Sequence, residues 1–139
     1  MKTSVRLLSF ALILLLILAS TALGYEYIAA AELKDMLNKN AELTLVDIQE
    51  QPDFDKHHID SAVATYAYPV KSSADKLKLD PIVTELKGND DLAVIVCPRG
   101  GGGAKRAYDY LVEAGIAESR VVILTGGQGK WPYPDMLAK

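Results

Sequence analysis

The sequence predicts an α/β fold built on a parallel sheet with helices on both faces. Three observations carry this. Leu43–Asp47, Leu92–Val96 and Val121–Leu124 are short runs, apolar almost throughout, as expected of strands buried on both sides. Between them lie segments whose apolar residues recur at helical spacing. The two kinds alternate along the chain, and parallel strands need such crossover connections.

Each element has its own signal. Residues 29–38 place Leu33, Met36 and Leu37 at helical spacing, with Lys34, Asp35 and Lys39 around them. Leu43–Asp47 follows as a buried strand. Residues 49–58 are polar and read as a loop with a short helix, and residues 62–66 as a further strand. The polar stretch 72–78 reads as a flexible surface segment. Asp80-Pro81 reads as an N-cap with proline at the first helical position, opening a helix that carries Ile82, Val83 and Leu86 and ends at Gly88. Asn89-Asp90-Asp91 is a turn before Leu92–Val96, the strongest strand signal. Residues 104–114 form a helix with Ala107, Tyr108 and Leu111 on one face, stopped by Gly115. Val121–Leu124 is the last strand and Gly126-Gly127 ends it.

Half of the 139 residues are hydrophobic, which suits one globular domain. The first 24 residues differ from the rest. Lys2 and Arg6 precede an almost purely apolar run, residues 7–18, and small residues up to Gly24 follow. That order is the order of a secretory signal peptide, with an uncleaved anchor as the alternative. The expected division is a signal peptide over 1–24 and one domain over 25–139. A periplasmic or secreted protein follows, with no stable membrane association once the signal is cleaved. Removing residues 1–24 takes the formal charge from −3 to −5. An acidic domain without a basic stripe argues against nucleic acid as a partner.

Cys97 is the only cysteine, so no internal disulfide forms. It ends the strongest strand and is followed by Pro98, Arg99 and four glycines, Gly100 to Gly103. In open parallel sheets, sites lie at the carboxyl ends of strands. Asp47, Cys97 and residues 125–127 fall at three such ends and are expected to share one crevice. A thiol followed by a loop free of obstructing side chains reads as a nucleophile in a cradle of backbone amides. Arg99 is placed to attract an anion. Asp47 reads as a structural hydrogen-bonding group. His57 and His58, with no other ligand types at a recognisable spacing, read as surface or packing residues, and no metal site is expected.

Three stretches together resemble the rhodanese-like sulfurtransferase family, over residues 27–134. Leu45-Val46-Asp47-Ile48-Gln49-Glu50, with Phe54 and His58-Ile59-Asp60-Ser61-Ala62, is similar to the family's Asp-Val-Arg-Glu, aromatic, Gly-His-Ile-Pro-Gly-Ala pattern. Cys97-Pro98-Arg99-Gly100 resembles the active loop Cys-x-x-Gly-x-Arg/Lys-Ser/Thr, and Gly126-Gly127 to Trp131 the closing Gly-Gly-x-x-x-Trp. The resemblance implies a three-layer sandwich with a central, mainly parallel sheet of about five strands. It implies Cys97 as the catalytic residue, Pro98 to Gly103 as the active loop, and Asp47, His58 and Trp131 as supporting residues.

The same resemblance implies a sulfur transfer in which Cys97 takes a sulfane sulfur from a small anion such as thiosulfate. A thiol, a cyanide-like acceptor or an unidentified protein then receives it, and no cofactor is needed. The departures bear on this expectation. Gln49 replaces an arginine, and Gly102 and Gly103 stand where the loop's Arg/Lys and Ser/Thr are usual. A sulfur-carrier or protein-binding module with little thiosulfate turnover is therefore the alternative. Phosphatases of this fold place an arginine six residues after the cysteine, and here that position is Gly103, which disfavours phosphate-ester chemistry.

Overall fold

A computed structural model describes residues 24–139. Five strands form one sheet: β1 (Tyr27–Ile28), β2 (Leu43–Asp47), β3 (Val63–Ala64), β4 (Leu92–Val96) and β5 (Val121–Leu124). Their order is β1-β5-β4-β2-β3, and every pairing is parallel. The connecting helices are α1 (Ala30–Asn38), α2 (Gln51–Lys56), α3 (Ser73–Leu77), α4 (Asp80–Lys87) and α5 (Gly102–Glu113).

The period of two along a strand divides the core into two layers. Ala93, Ile95 and Cys97 continue one alternating series on β4 and pack with Ile82 and Leu86 of α4 and Ala104, Ala107 and Leu111 of α5. Val94 and Val96 face the other way and pack with Leu33 of α1, Leu45, Ile59 and Leu124. Cys97 thus points to the α5 side because it holds the parity of Ile95. Central β4 is buried throughout from Ala93 to Val96, which is why its run carries no polar residue.

Four expectations need correction. Residues 72–78 are not a flexible segment, because Ser72 and Asp75 close a capping box around the start of α3. The strand expected over 62–66 is only Val63–Ala64. Thr65 leaves the ladder to donate both its N–H and its hydroxyl to the Asp47 carbonyl, and Tyr66 turns to φ 56°. Asp80 is the first residue of α4 rather than its cap, which is Leu79. The last long helix begins at Gly102, inside the glycine run, not at Ala104. Strand β1 carried too short a signal to be expected. Apart from Gly24, the leader lies outside the described residues. Among the described residues, no helix is long and apolar enough to cross a membrane.

Candidate active site

The carboxyl ends of β2, β4 and β5 bring together three loops, as the strand-end argument expects. Cys97 is 1% exposed, and the Gly100 N–H donates to its Sγ at 2.8 Å. One amide therefore serves the sulfur, where the sequence suggested a cradle of several. The loop that carries it is held from outside. In the turn after β5, the Gln128 N–H donates to the Cys97 carbonyl at 2.8 Å and the Gly129 N–H to the Pro98 carbonyl at 3.0 Å.

This clamp requires glycine on both sides. Gly100 has φ +71°, and a Cβ there would stand 2.9 Å from the Gly126 nitrogen and the Leu124 carbonyl oxygen. Gly127 has φ +62°, and its Cβ would meet the Cys97 carbonyl oxygen at 2.1 Å. The two backbones pack face to face, and no side chain fits between them.

The other glycines of the run have different reasons. Gly101 is the N-cap of α5, and a Cβ on it would meet nothing within 4 Å. Gly102 and Gly103 are helical, so they form the first turn of α5 and not the loop. A Cβ on Gly103 would stand 2.8 Å from the Tyr68 ring, which lies across this turn. At Gly102 the neighbour is the Arg106 guanidinium. Arg99, on the loop itself, is exposed.

Asp47 is fully buried and sits beside Val96 in the β2–β4 ladder, one residue behind the thiol. Gln49 holds it: its N–H donates to one carboxylate oxygen at 2.9 Å and its Nε2 to the other at 3.0 Å. The same Nε2 reaches the His57 carbonyl at 3.1 Å, drawing the two ends of α2 together. Burial pushes the Asp47 carboxyl up to about 6, although the Gln49 bonds and, more weakly, His58 oppose this. His58 stacks on Phe54 with ring centroids 3.8 Å apart, and its Nδ1 donates to the Phe54 carbonyl at 2.7 Å. It packs α2 and does not enter the cysteine loop. Trp131 donates to the Tyr133 carbonyl at 3.0 Å and packs against the α1 layer.

A cleft of about 480 Å³ lies beside the loop, walled by Gln49, Asp53, Lys56, His57, Pro98 and Trp131 among others. Pro98 is the cysteine-loop residue that lines it, so the cleft flanks the thiol without opening onto it. Sequence reasoning missed Tyr68, which stands far from the loop along the chain and carried no signal, whereas Arg106 follows the glycine run on the next helix turn. Among the described residues, no group of three or more His, Cys, Asp and Glu side chains is arranged to hold a metal ion.

A single cysteine at the end of the central strand, its loop clamped by a glycine turn after the next strand, defines an α/β protein with a buried cysteine on a backbone-held loop. A family model described as the Rhodanese-like domain matches residues 29–132, and the chain belongs to that family. No curated protein matches it in sequence. Among solved structures, a rhodanese-like domain protein from Staphylococcus aureus is 26% identical, with TM-score 0.54, covering 76% of this chain and 90% of that one. An As-Sb reductase from Leishmania major is 19% identical, with TM-score 0.63 and coverages of 82% and 85%. A Rhodopseudomonas palustris protein described as a possible tyrosine phosphatase is 18% identical, with TM-score 0.56 and coverages of 77% and 79%. At these identities the last two share the fold.

Proposed function

We propose that this chain is a sulfurtransferase that carries a sulfane sulfur on Cys97. The observation that carries the reading is the Gly100 N–H on Cys97 Sγ, in a loop clamped by Gly127 to Gly129. The N–H fixes the sulfur at the end of the central strand, the position from which it acts as the nucleophile. The Cys97 thiolate attacks the outer sulfur of thiosulfate. A Cys97 S–S bond forms, the donor's S–S bond breaks, and sulfite leaves with the electron pair. An acceptor such as cyanide or a thiolate then takes the outer sulfur as the Cys97 S–S bond breaks, and the thiolate returns. Neither step needs an oxidant or a cofactor.

Gly103 supports sulfur transfer over phosphatase chemistry, because the position where those enzymes place arginine is filled by the Tyr68 ring. A second reading is a carrier that exchanges sulfur with a protein partner. The near-complete burial of Cys97 favours it over rapid turnover of a free anion. Thiosulfate-to-cyanide turnover, with Cys97→Ser as the reference, separates the two. Turnover lost in the variant supports the enzyme, and a stable persulfide without turnover supports the carrier. The leader-like residues 1–24 support export, which predicts a mature chain beginning near Tyr25.

A further inference from the structure

Gly102 lacks a side chain, and the structure shows what occupies its place. Side chains on a helix lean toward its N-terminus, so a residue one turn on can reach back. Arg106 does this. Its Nη1 stands 3.0 Å, and its Nη2 3.5 Å, from where a Cβ on Gly102 would be. The fork is fixed at its base, because Nε donates to the Pro69 carbonyl at 2.9 Å. Any larger residue at 102 would displace it.

The position matters because Gly102 is two residues beyond Gly100, a chain reach of about 7 Å, and Gly100 holds the sulfur. Gly102 is exposed while Arg106 is half-buried, so the guanidinium lies over an exposed helix turn on a held stem, with Lys76, Asp109 and Glu113 lining the hollow on its other side. The neighbouring cations differ. Lys105 turns away, its ammonium 5.5 Å from the Tyr25 ring centroid. Arg99 sits exposed on the loop. A guanidinium stays charged at all working pH and presents parallel donors suited to an oxyanion.

We infer that Arg106 is the residue that selects anionic reactants for Cys97, standing in the space that Gly102 leaves open. The inference rests on the proposed sulfur transfer for its biological meaning, and its test does not. The test compares the alkylation of Cys97 by iodoacetate, which is anionic, with that by iodoacetamide, its neutral analogue. In each case the thiolate attacks the methylene carbon and iodide leaves. The ratio of the two rates cancels a disturbance of the loop that changes access for both reagents. Arg106→Gln lowers the ratio about three- to tenfold, Arg106→Lys keeps most of it, and Lys105→Gln leaves it unchanged. An unchanged ratio in Arg106→Gln, or an equal fall in Lys105→Gln, overturns the inference.

The wild-type protein provides a second measurement that needs no substitution. Sulfate slows its reaction with iodoacetamide more than chloride does at equal ionic strength, and equal effects overturn the inference. Wild-type Cys97 inert to both reagents overturns it together with the proposed function. A ratio that depends on Arg106 in a protein that thiosulfate cannot load supports anion selection and counts against sulfur transfer alone.

Discussion

The loops after β2 and β4 leave adjacent parallel strands, and each begins beside a buried group that can ionise. Asp47 is satisfied by its own loop, because Gln49, two residues on, donates to both carboxylate oxygens. The Cys97 loop is held by a different one, through Gln128 and Gly129 on its carbonyls. The first arrangement turns polar groups inward and closes on itself. The second fastens the carbonyls from behind and leaves the amide side to the sulfur. Two strand ends in one sheet thus become a self-closed staple and a loop that presents an amide to a sulfur, according to where their hydrogen bonds come from.

The largest expected effect comes from removing the reactive group. Cys97→Ser keeps the fold and brings persulfide formation to background, read by mass and by circular dichroism. Next comes the clamp. Gly127→Ala forces a Cβ onto the Cys97 carbonyl at a positive φ. It costs about 3 kcal/mol in denaturant unfolding and lowers sulfur transfer at least as much as the loss of folded protein does. Gly101→Ala, whose Cβ meets nothing, costs under about 1 kcal/mol and leaves transfer nearly intact. Equal costs for the two would remove the clamp from the account.

Asp47 sharpens the other half of the comparison. Burial lifts its carboxyl from 3.8, the value of a free aspartate, to about 6 in the fold, so the folded state binds more protons between those pH values. Stability is therefore fullest below pH 3.8 as far as this group goes, and it falls as pH rises through about 6. Asp47→Asn removes this dependence. The variant is more stable than wild type above pH 6 by about 2 kcal/mol, after the loss of one bond to Gln49, and equal or weaker near pH 4. A wild-type advantage at pH 7.5 would mean that a charge near Asp47 pays for its ionisation. The smallest effect is His58→Phe, which keeps the stack on Phe54 but loses the bond to its carbonyl. It costs about 1 kcal/mol and leaves sulfur loading unchanged.

Much of the fold was legible because its buried strands leave little ambiguity. Leu92–Val96 and Val121–Leu124 admit no polar residue, and their bounds match those read from the sequence. The two-residue strands β1 and β3 carry too few residues to show any period, and their limits depend on tertiary hydrogen bonds such as those from Thr65. The site was legible as far as Cys97 and the closing Gly126-Gly127. The glycine run was not, because composition could not show that each glycine answers to a different neighbour. Gly100 faces backbone, Gly103 a ring and Gly102 a guanidinium. The Tyr68 contact with Gly103 and the Arg106 bond to Pro69 cross long stretches of chain, and only folding reveals them.

The most direct measurement is the intact mass of the purified protein before and after thiosulfate, with and without a reductant. The account predicts a gain of one sulfur atom on Cys97, reversed by the reductant and absent from Cys97→Ser. An unchanged mass with the thiol still free and reactive would contradict it.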